Sequence, residues 1–402
     1  MKRKLPPWVL GLAFTPLGFF YGFISTSLPL LLTGRGVSLD TVASVSALAF
    51  FPTAWGFLLS PILEIWLSRK QWSILWVVIA AVCLGGAVLS LNNTTLLTIL
   101  LFVGCEAIVL FSGALGAWIA DAVEDDGRNG LGASMNVANL GAAGSFGALS
   151  VLMIHKLPAP IAAGSLGLLL VLPLALLVVF PDEVPKGRRL NEVFGSFLRD
   201  LKISWGRREV ALGMLAFLLP ESCFALTNLF SGLGKDFHAP ENWVIAIGGT
   251  GVAVVCSLGC LVGAPLCARY SRRRIYLATG IAGTIFSLGL IFSAHTLLAF
   301  AIGVLGYNFV QGINYTAFGA WQFELVGSNN PQGAVQFAVF AAAANVPITY
   351  MTKIEGFVHD SHGLNAMLLV DATTSVALGA TLLAVFAAID RRYRARQAAT
   401  QI

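Results

Sequence analysis

Apolar runs of roughly twenty residues recur along the whole chain, separated by short polar islands in which most of the charge is gathered. A run of that length, wound as a helix rising about 1.5 Å per residue, crosses a hydrocarbon core of about 30 Å. The pattern predicts transmembrane helices at 7–32, 39–66, 72–91, 95–120, 130–154, 158–180, 209–231, 242–268, 274–293, 297–323, 332–357 and 364–389. The longest polar stretch falls mid-chain and holds Lys186, Arg188, Arg189, Arg199, Lys202, Arg207 and Arg208. It divides the chain into an N-terminal six-helix bundle (1–180), a linker (181–208) and a C-terminal six-helix bundle (209–402). Part of the linker, 190–205, reads as an amphipathic helix lying on the membrane surface. The first apolar run follows Lys2-Arg3-Lys4. It is too long for a signal peptide and has no small-x-small cleavage site, so it reads as an uncleaved span.

Composition sharpens this picture. The chain is 57% hydrophobic and 11% charged, with a mean hydropathy of +0.80, against about 45–50% and about 25% in soluble domains. The expected fold class is therefore an all-α membrane protein with twelve transmembrane helices. Basic residues set its orientation. With both termini in the cytoplasm, all but four of the 25 Lys and Arg, namely Arg35, Lys156, Lys235 and Lys353, fall on the cytoplasmic side. The net charge of +5 thus reflects membrane orientation, and its spread over separate segments argues against a nucleic-acid partner. An inner-membrane location follows. The six cysteines, Cys83, Cys105, Cys223, Cys256, Cys260 and Cys267, all fall inside predicted spans as small apolar groups.

The two halves carry a repeat. Pro61-Ile62-Leu63-Glu64 followed by Ser68-Arg69-Lys70 ends the second span, and Pro265-Leu266-Cys267-Ala268 followed by Arg272-Arg273-Arg274 ends the eighth. The offset of 204 residues also pairs Pro16 with Pro220, and one of 203 pairs Asp121 with Glu324 and Gly130 with Gly333. Parallel repeats of six helices, with a site at the bilayer midplane between them, are how major facilitator transporters are built. The basic loop after the second span resembles that superfamily's signature in a loose form, through Gly56, Pro61, Glu64, Arg69 and Lys70. Within it, three segments resemble the branch of the muropeptide permease AmpG, the acetyl-CoA transporters and the siderophore permeases. These are Ser60-Pro61-Ile62-Leu63-Glu64, Asp121-Ala122 with Gly130-Leu131-Gly132-Ala133, and Gly363-Leu364-Asn365-Ala366-Met367. The resemblance implies the two-bundle major facilitator fold, a monomer, and a siderophore or cell-wall fragment as solute.

Charges inside the bilayer point to mechanism, because each costs about 2.5–3.5 kcal/mol at a helix centre even on lenient scales. Glu106 in the fourth span and Glu221 in the seventh both fall near the midplane. In the resembled fold, spans 1, 4, 7 and 10 line the central cavity. Burial in such a cavity favours a protonated carboxyl, which loads and releases a proton as access alternates. Glu106 is the first candidate for proton coupling and Glu221 the second. In the tenth span Tyr307, Asn308, Gln311, Asn314 and Tyr315 form one polar helical stripe. With Tyr21 of the first span and Thr227 and Asn228 of the seventh, they make the candidate substrate lining. Glu64, Arg69, Asp121, Arg273 and Glu324 sit at cytoplasmic helix ends, as candidates for structural or gating pairs. Asp371 admits functional and interfacial readings alike, while Lys353 and Glu355 read as groups snorkelling to the outer surface.

The remaining chemistry is exclusionary. His155, His238, His295, His359 and His362 are all peripheral. The i, i+3 pair His359 and His362 has no further ligand, so no metal and no cofactor are expected. HExxH and GxSxG are absent, which argues against an intramembrane enzyme. The two midplane acids, with no Lys or Arg at that depth, disfavour a polyanionic solute. The fifth span carries Gly141, Gly144 and Gly147 without the Gly-Pro pair of the proton-antiporter signature, which favours a proton-coupled importer of a small amphiphilic solute. An exporter of a drug or metabolite and a non-transporting membrane sensor are the alternatives.

Overall fold

The structure is a computed structural model in which residues 7–122, 128–179, 189–206, 208–326 and 333–400 are described. The charged part of the linker at 181–188 lies outside the described residues, as does the Asp121 side chain. Among the described residues every regular element is helical. Eleven helices are long and apolar enough to cross a membrane. They are Thr15–Gly34, Leu39–Glu64, Arg69–Leu89, Thr94–Gly116, Ala138–Lys156 and Ala159–Val178, then Glu241–Arg269, Arg272–Phe292, Leu297–Val326, Val335–His362 and Leu364–Arg391. They correspond to spans 1–6 and 8–12 of the sequence pattern, and the Leu190–Trp205 helix lies between the two sets.

The missing member is the seventh span, which the apolar pattern predicts as a continuous helix over 209–231. It runs as α-helix only from Arg208 to Leu218, then breaks into short 3₁₀ turns at Pro220–Ser222, Ala225–Asn228 and Phe230–Lys235. The cause is local. Proline cannot donate to the helix ladder and disfavours helical geometry in the residue before it. Leu219 is accordingly extended, at φ −92°, ψ 148°. Five residues on, Phe224 takes the left-handed conformation at φ 52°, which costs a bulky L-residue about 1–2 kcal/mol. The first span is interrupted more gently, by Pro16 and by a π-helical turn at Phe23–Ser27.

Packing repeats between the halves. Spans 3 and 4, 3 and 6, 2 and 4, and 1 and 5 pack together in the first half, and 9 and 10, 9 and 12, 8 and 10, and 7 and 11 do so in the second. Three helix pairs among the described residues bridge the halves, the second with the eleventh, the fifth with the eighth and the first with the broken seventh. At the fifth–eighth crossing the backbones touch. A Cβ on Gly144 would stand 2.5 Å from the Gly249 carbonyl oxygen, and one on Gly249 would stand 2.8 Å from that of Gly144. Small residues let helices approach this closely where lipid supplies no hydrophobic drive for association.

At the end bearing residues 33–40, 235–241 and 353–362, side chains join the halves directly. Lys353 Nζ lies 2.5 Å from Asp40 Oδ1 and donates to Ser44 Oγ at 2.6 Å. The Asp40 amide donates to Asp360 Oδ2 at 2.7 Å, and Lys235 Nζ to the Thr33 carbonyl at 2.6 Å. His155 Nδ1 is 3.4 Å from Glu241 Oε1. Beneath them the Ser27 and Ser150 hydroxyls, both buried, bond at 2.5 Å within the first half. At the opposite end, two charged pairs lie within the second half. Arg272 Nη1 meets Glu324 Oε2 at 3.1 Å, and Arg273 Nη2 meets Asp390 Oδ2 at 2.7 Å.

Candidate functional site

The broken seventh span brings together part of the predicted site: Thr227, Asn228, Asn308, Gln311 and Tyr315. Its 3₁₀ turns free side chains and backbone from a regular ladder and set them against the tenth span. The Thr227 hydroxyl is shared between Asn308 Oδ1 at 3.3 Å and Gln311 Oε1 at 3.2 Å. Gln311 Nε2 then donates to the Tyr315 hydroxyl at 3.1 Å. Asn228 Nδ2 donates to Thr352 Oγ1 of the eleventh span at 3.2 Å. Three spans are thereby laced together by amides and hydroxyls, groups that both donate and accept.

The stripe of the tenth span does not act as one surface. At about 100° per residue, Tyr307 and Asn314 lie on one edge and Asn308 and Tyr315 on the other. Asn314 Nδ2 donates to the Tyr276 carbonyl at 3.0 Å and to Thr279 Oγ1 at 2.9 Å, which ties it to the ninth span. Tyr307 donates to Asp371 Oδ1 of the twelfth span at 3.0 Å, and its ring meets Phe224 and Phe230 edge-on at 5.0 and 5.3 Å. Both side chains therefore point into the C-terminal bundle. Asn308, Gln311 and Tyr315 face the seventh span, and Tyr315 is 38% exposed.

The acids occupy distinct niches. Glu221 is fully buried in the Pro220–Ser222 turn, and neither carboxyl oxygen has a hydrogen-bond partner. Its neighbour Ser222 donates to the Tyr276 carbonyl at 3.1 Å, anchoring the turn to the ninth span. Glu106 also has both oxygens buried and unpartnered. It lies against Gly56, where the second span tightens from α to 3₁₀. A Cβ there would stand 2.8 Å from Oε2 and 2.9 Å from Oε1. Trp55 and Phe102 stack beside this contact at 6.2 Å. Tyr21, packed edge-on against Phe50 at 5.4 Å, is within electrostatic reach of Glu106. Glu106 and Tyr21 thus form a niche in the N-terminal half, and no hydrogen bond joins Glu106 to the seventh- and tenth-span network.

At the helix ends, Glu64 and Arg69 are both engaged with partners. The residue that pairs with Glu324 is Arg272, whereas Arg273 pairs with Asp390 and lies 4.3 Å over the Phe386 ring. Two acids stand out more than their sequence positions suggest. Glu355 is 0% exposed with both oxygens unpartnered, and Asp371 is 3% exposed and held by two hydroxyls. A signal for Glu355 was present: Asn345, Thr349 and Thr352 recur at i, i+4 and i+7, making a polar face on the eleventh span that resembles that of the tenth. Among the described residues no cluster of three His, Cys, Asp or Glu suits a metal. An apolar groove of about 540 Å³ between the third and sixth spans, lined by Val82, Gly85, Gly86, Gly164, Gly167 and Leu168 among others, holds none of these groups.

Comparison with solved structures places the fold. The chain superposes on the nucleoside transporter NupG with a TM-score of 0.71 at 13% identity, covering 94% of this chain and 98% of that one. It superposes on a D-xylose–proton symporter at 0.73 and 12% identity, covering 94% and 96%. With the Escherichia coli fucose:proton symporter FucP the values are 0.60 and 17%, covering 95% and 98%. The sequence itself matches no family profile and no curated protein.

Proposed function

We propose that this chain, which has the major facilitator fold, is a secondary active transporter that moves a small solute through a central cleft by alternating access, coupled to protons. The observation that carries the proposal is the network on the broken seventh span. Thr227 and Asn228 engage Asn308, Gln311 and Thr352 from two other helices, and the preceding turn of the same span holds an unpartnered buried acid, Glu221. Groups that both donate and accept match a solute rich in hydroxyls or amides. The nucleoside, xylose and fucose carriers of like fold take hydroxylated solutes, and the motif resemblance to siderophore and cell-wall fragment permeases agrees with the same chemistry.

Proton coupling rests on Glu106 and Glu221. The cost of an unpaired carboxyl away from water falls on its charged state, so such a group takes up a proton readily and yields it when water or a counter-charge arrives. The side-chain pairs that join the halves at the Lys353–Asp40 end form a closure that must open once per cycle. Basic-residue bias puts that end outside and both termini in the cytoplasm. The protein then works as an importer of the inner membrane, as a monomer of two six-helix bundles joined at 181–208.

Uptake of labelled pentose, nucleoside and peptidoglycan fragment into right-side-out and everted vesicles, with and without a pH gradient, tests this. Accumulation that collapses with the gradient supports the proposal, and no gradient-dependent movement of any of them overturns it. In Glu106→Gln, accumulation is expected to fail while exchange of solute without net proton movement survives. Normal accumulation by that variant transfers the coupling role to Glu221.

A further inference from the structure

Beyond the two midplane acids lies a second pair, on the eleventh and twelfth spans. Asp371 is 3% exposed, and each of its oxygens accepts one hydroxyl: Oδ2 from Ser287 at 2.5 Å and Oδ1 from Tyr307 at 3.0 Å. Glu355 is 0% exposed and receives no hydrogen bond at either oxygen. The two carboxyls are within electrostatic reach of each other. Two carboxylates sharing a desolvated site resist ionising together, and hydrogen bonds to the charged form decide which one keeps its charge. Here both donors serve Asp371 and none serves Glu355.

We infer that Glu355 and Asp371 form a proton-exchange site in the C-terminal half, in which Glu355 carries the proton and Asp371 is the fixed negative charge opposite it. This deepens the transporter reading above and rests on it for its physiological role. The other titratable groups around the pair are Cys223 of the seventh span and Tyr307 of the tenth, and Glu221 lies within reach of Cys223. The cation on the same helix, Lys353, is committed to Asp40 and Ser44 of the second span. Gly356 packs against Leu39 and Ala43, also of the second span.

Within four residues the eleventh span therefore holds two contacts and an electrostatic neighbour. Thr352 takes the amide of Asn228 from the substrate cleft, Lys353 closes the outer end, and Glu355 lies within electrostatic reach of Asp371. In the exchange step the Glu355 O–H bond breaks and the proton passes to water on whichever side is open, leaving a carboxylate. The site then holds two negative charges, whose repulsion acts on the helix that carries both the cleft contact and the closure. Proton return forms the same bond and restores the pair. No other reactant is involved.

Infrared difference spectroscopy on the full-length protein in liposomes tests this without any solute. Wild type minus Glu355→Gln, recorded at neutral pH, is expected to show the carbonyl stretch of one protonated carboxyl, shifting in D₂O. Across a pH series the band is expected to disappear at lower pH in Asp371→Asn than in wild type, because the opposing charge no longer adds to the effect of burial. Should Glu355→Gln fail to fold, Glu355→Asp carries the test, because it keeps an acid at the position while moving its carbonyl band. A flat Glu355→Gln difference at every pH overturns the inference, as does a Glu355 band that ignores Asp371→Asn. Since no transport is measured, failure here is distinct from failure of the transporter reading, which the vesicle experiment decides alone.

Discussion

Gly56→Ala gives a direct measure of how tightly Glu106 is held. The backbone at Gly56, φ −55° and ψ −23°, suits any residue, so the substitution adds a methyl and no strain of its own. That methyl would meet Glu106 Oε2 at 2.8 Å, Oε1 at 2.9 Å and Val109 Cγ1 at 3.0 Å. Overpacking of this kind costs about 1–3 kcal/mol, while replacing Gly by Ala returns about 0.4–1 kcal/mol through the unfolded chain. The net expectation is a destabilisation of about 1–2 kcal/mol. In a Glu106→Ala background the carboxyl is gone and only the Val109 contact at 3.0 Å remains, so the destabilisation is expected to shrink toward zero. Glu106→Gln keeps the volume, and there Gly56→Ala stays destabilising. Equilibrium unfolding of the purified chain in mixed micelles with increasing SDS, followed by tryptophan fluorescence, reads the full cycle, whose coupling energy is expected at about 1–2 kcal/mol. Equal destabilisation by Gly56→Ala in all three backgrounds would refute the contact and with it the N-terminal niche.

The tenth span supplies a paired test. Asn314→Ala is expected to lower stability by about 1–3 kcal/mol by orphaning buried polar groups of the ninth span, with the solute concentration for half-maximal uptake unchanged. Gln311→Ala should do the reverse. At the Lys353–Asp40 closure, Lys353→Met removes a partly exposed pair worth about 0.2–1 kcal/mol. In a cysteine-free background carrying Ser231→Cys, the alkylation rate of that buried position should then rise by up to about fivefold, and the charge swap Asp40→Lys with Lys353→Asp should reduce it again. For topology, a single cysteine at Lys235 should react with an impermeant reagent in intact cells, and reaction confined to everted membranes contradicts the orientation.

The apolar pattern identifies where helices cross because a bilayer demands about twenty apolar residues and a satisfied backbone, and among the described residues eleven of the twelve stretches are helices long and apolar enough to do so. The seventh shows what such counting omits. Pro220 signals a break, but the left-handed Phe224 and three successive 3₁₀ turns follow from contacts with spans 9, 10 and 11 that no window of sequence contains. The tenth-span stripe is legible as a polar face, yet its division into bundle-facing and cleft-facing edges depends on which neighbours stand at each angle. Lys353 and Glu355 differ by two residues and share a depth, so sequence treats them alike. Their helix turns one toward Asp40 at the surface and the other into the interior beside Asp371. Depth comes from counting along one helix, whereas orientation comes from the packing of several.

The interrupted seventh span also bears on how the chain is made. Its α-helical part, Arg208–Leu218, is 11 residues long and spans roughly 16 Å, about half the hydrocarbon thickness. The turns that follow leave peptide groups without the helical ladder, and lipid offers nothing in exchange. Such a segment is a poor client for insertion by itself. It reaches its folded form only when the ninth, tenth and eleventh spans, synthesised later, supply the partners for Ser222, Thr227 and Asn228. During biosynthesis the ribosome must therefore complete most of the second half before this stretch can leave the translocon environment and settle. A chain stalled after the eighth span should remain sensitive to quality-control proteolysis, while one completed through the eleventh should escape it.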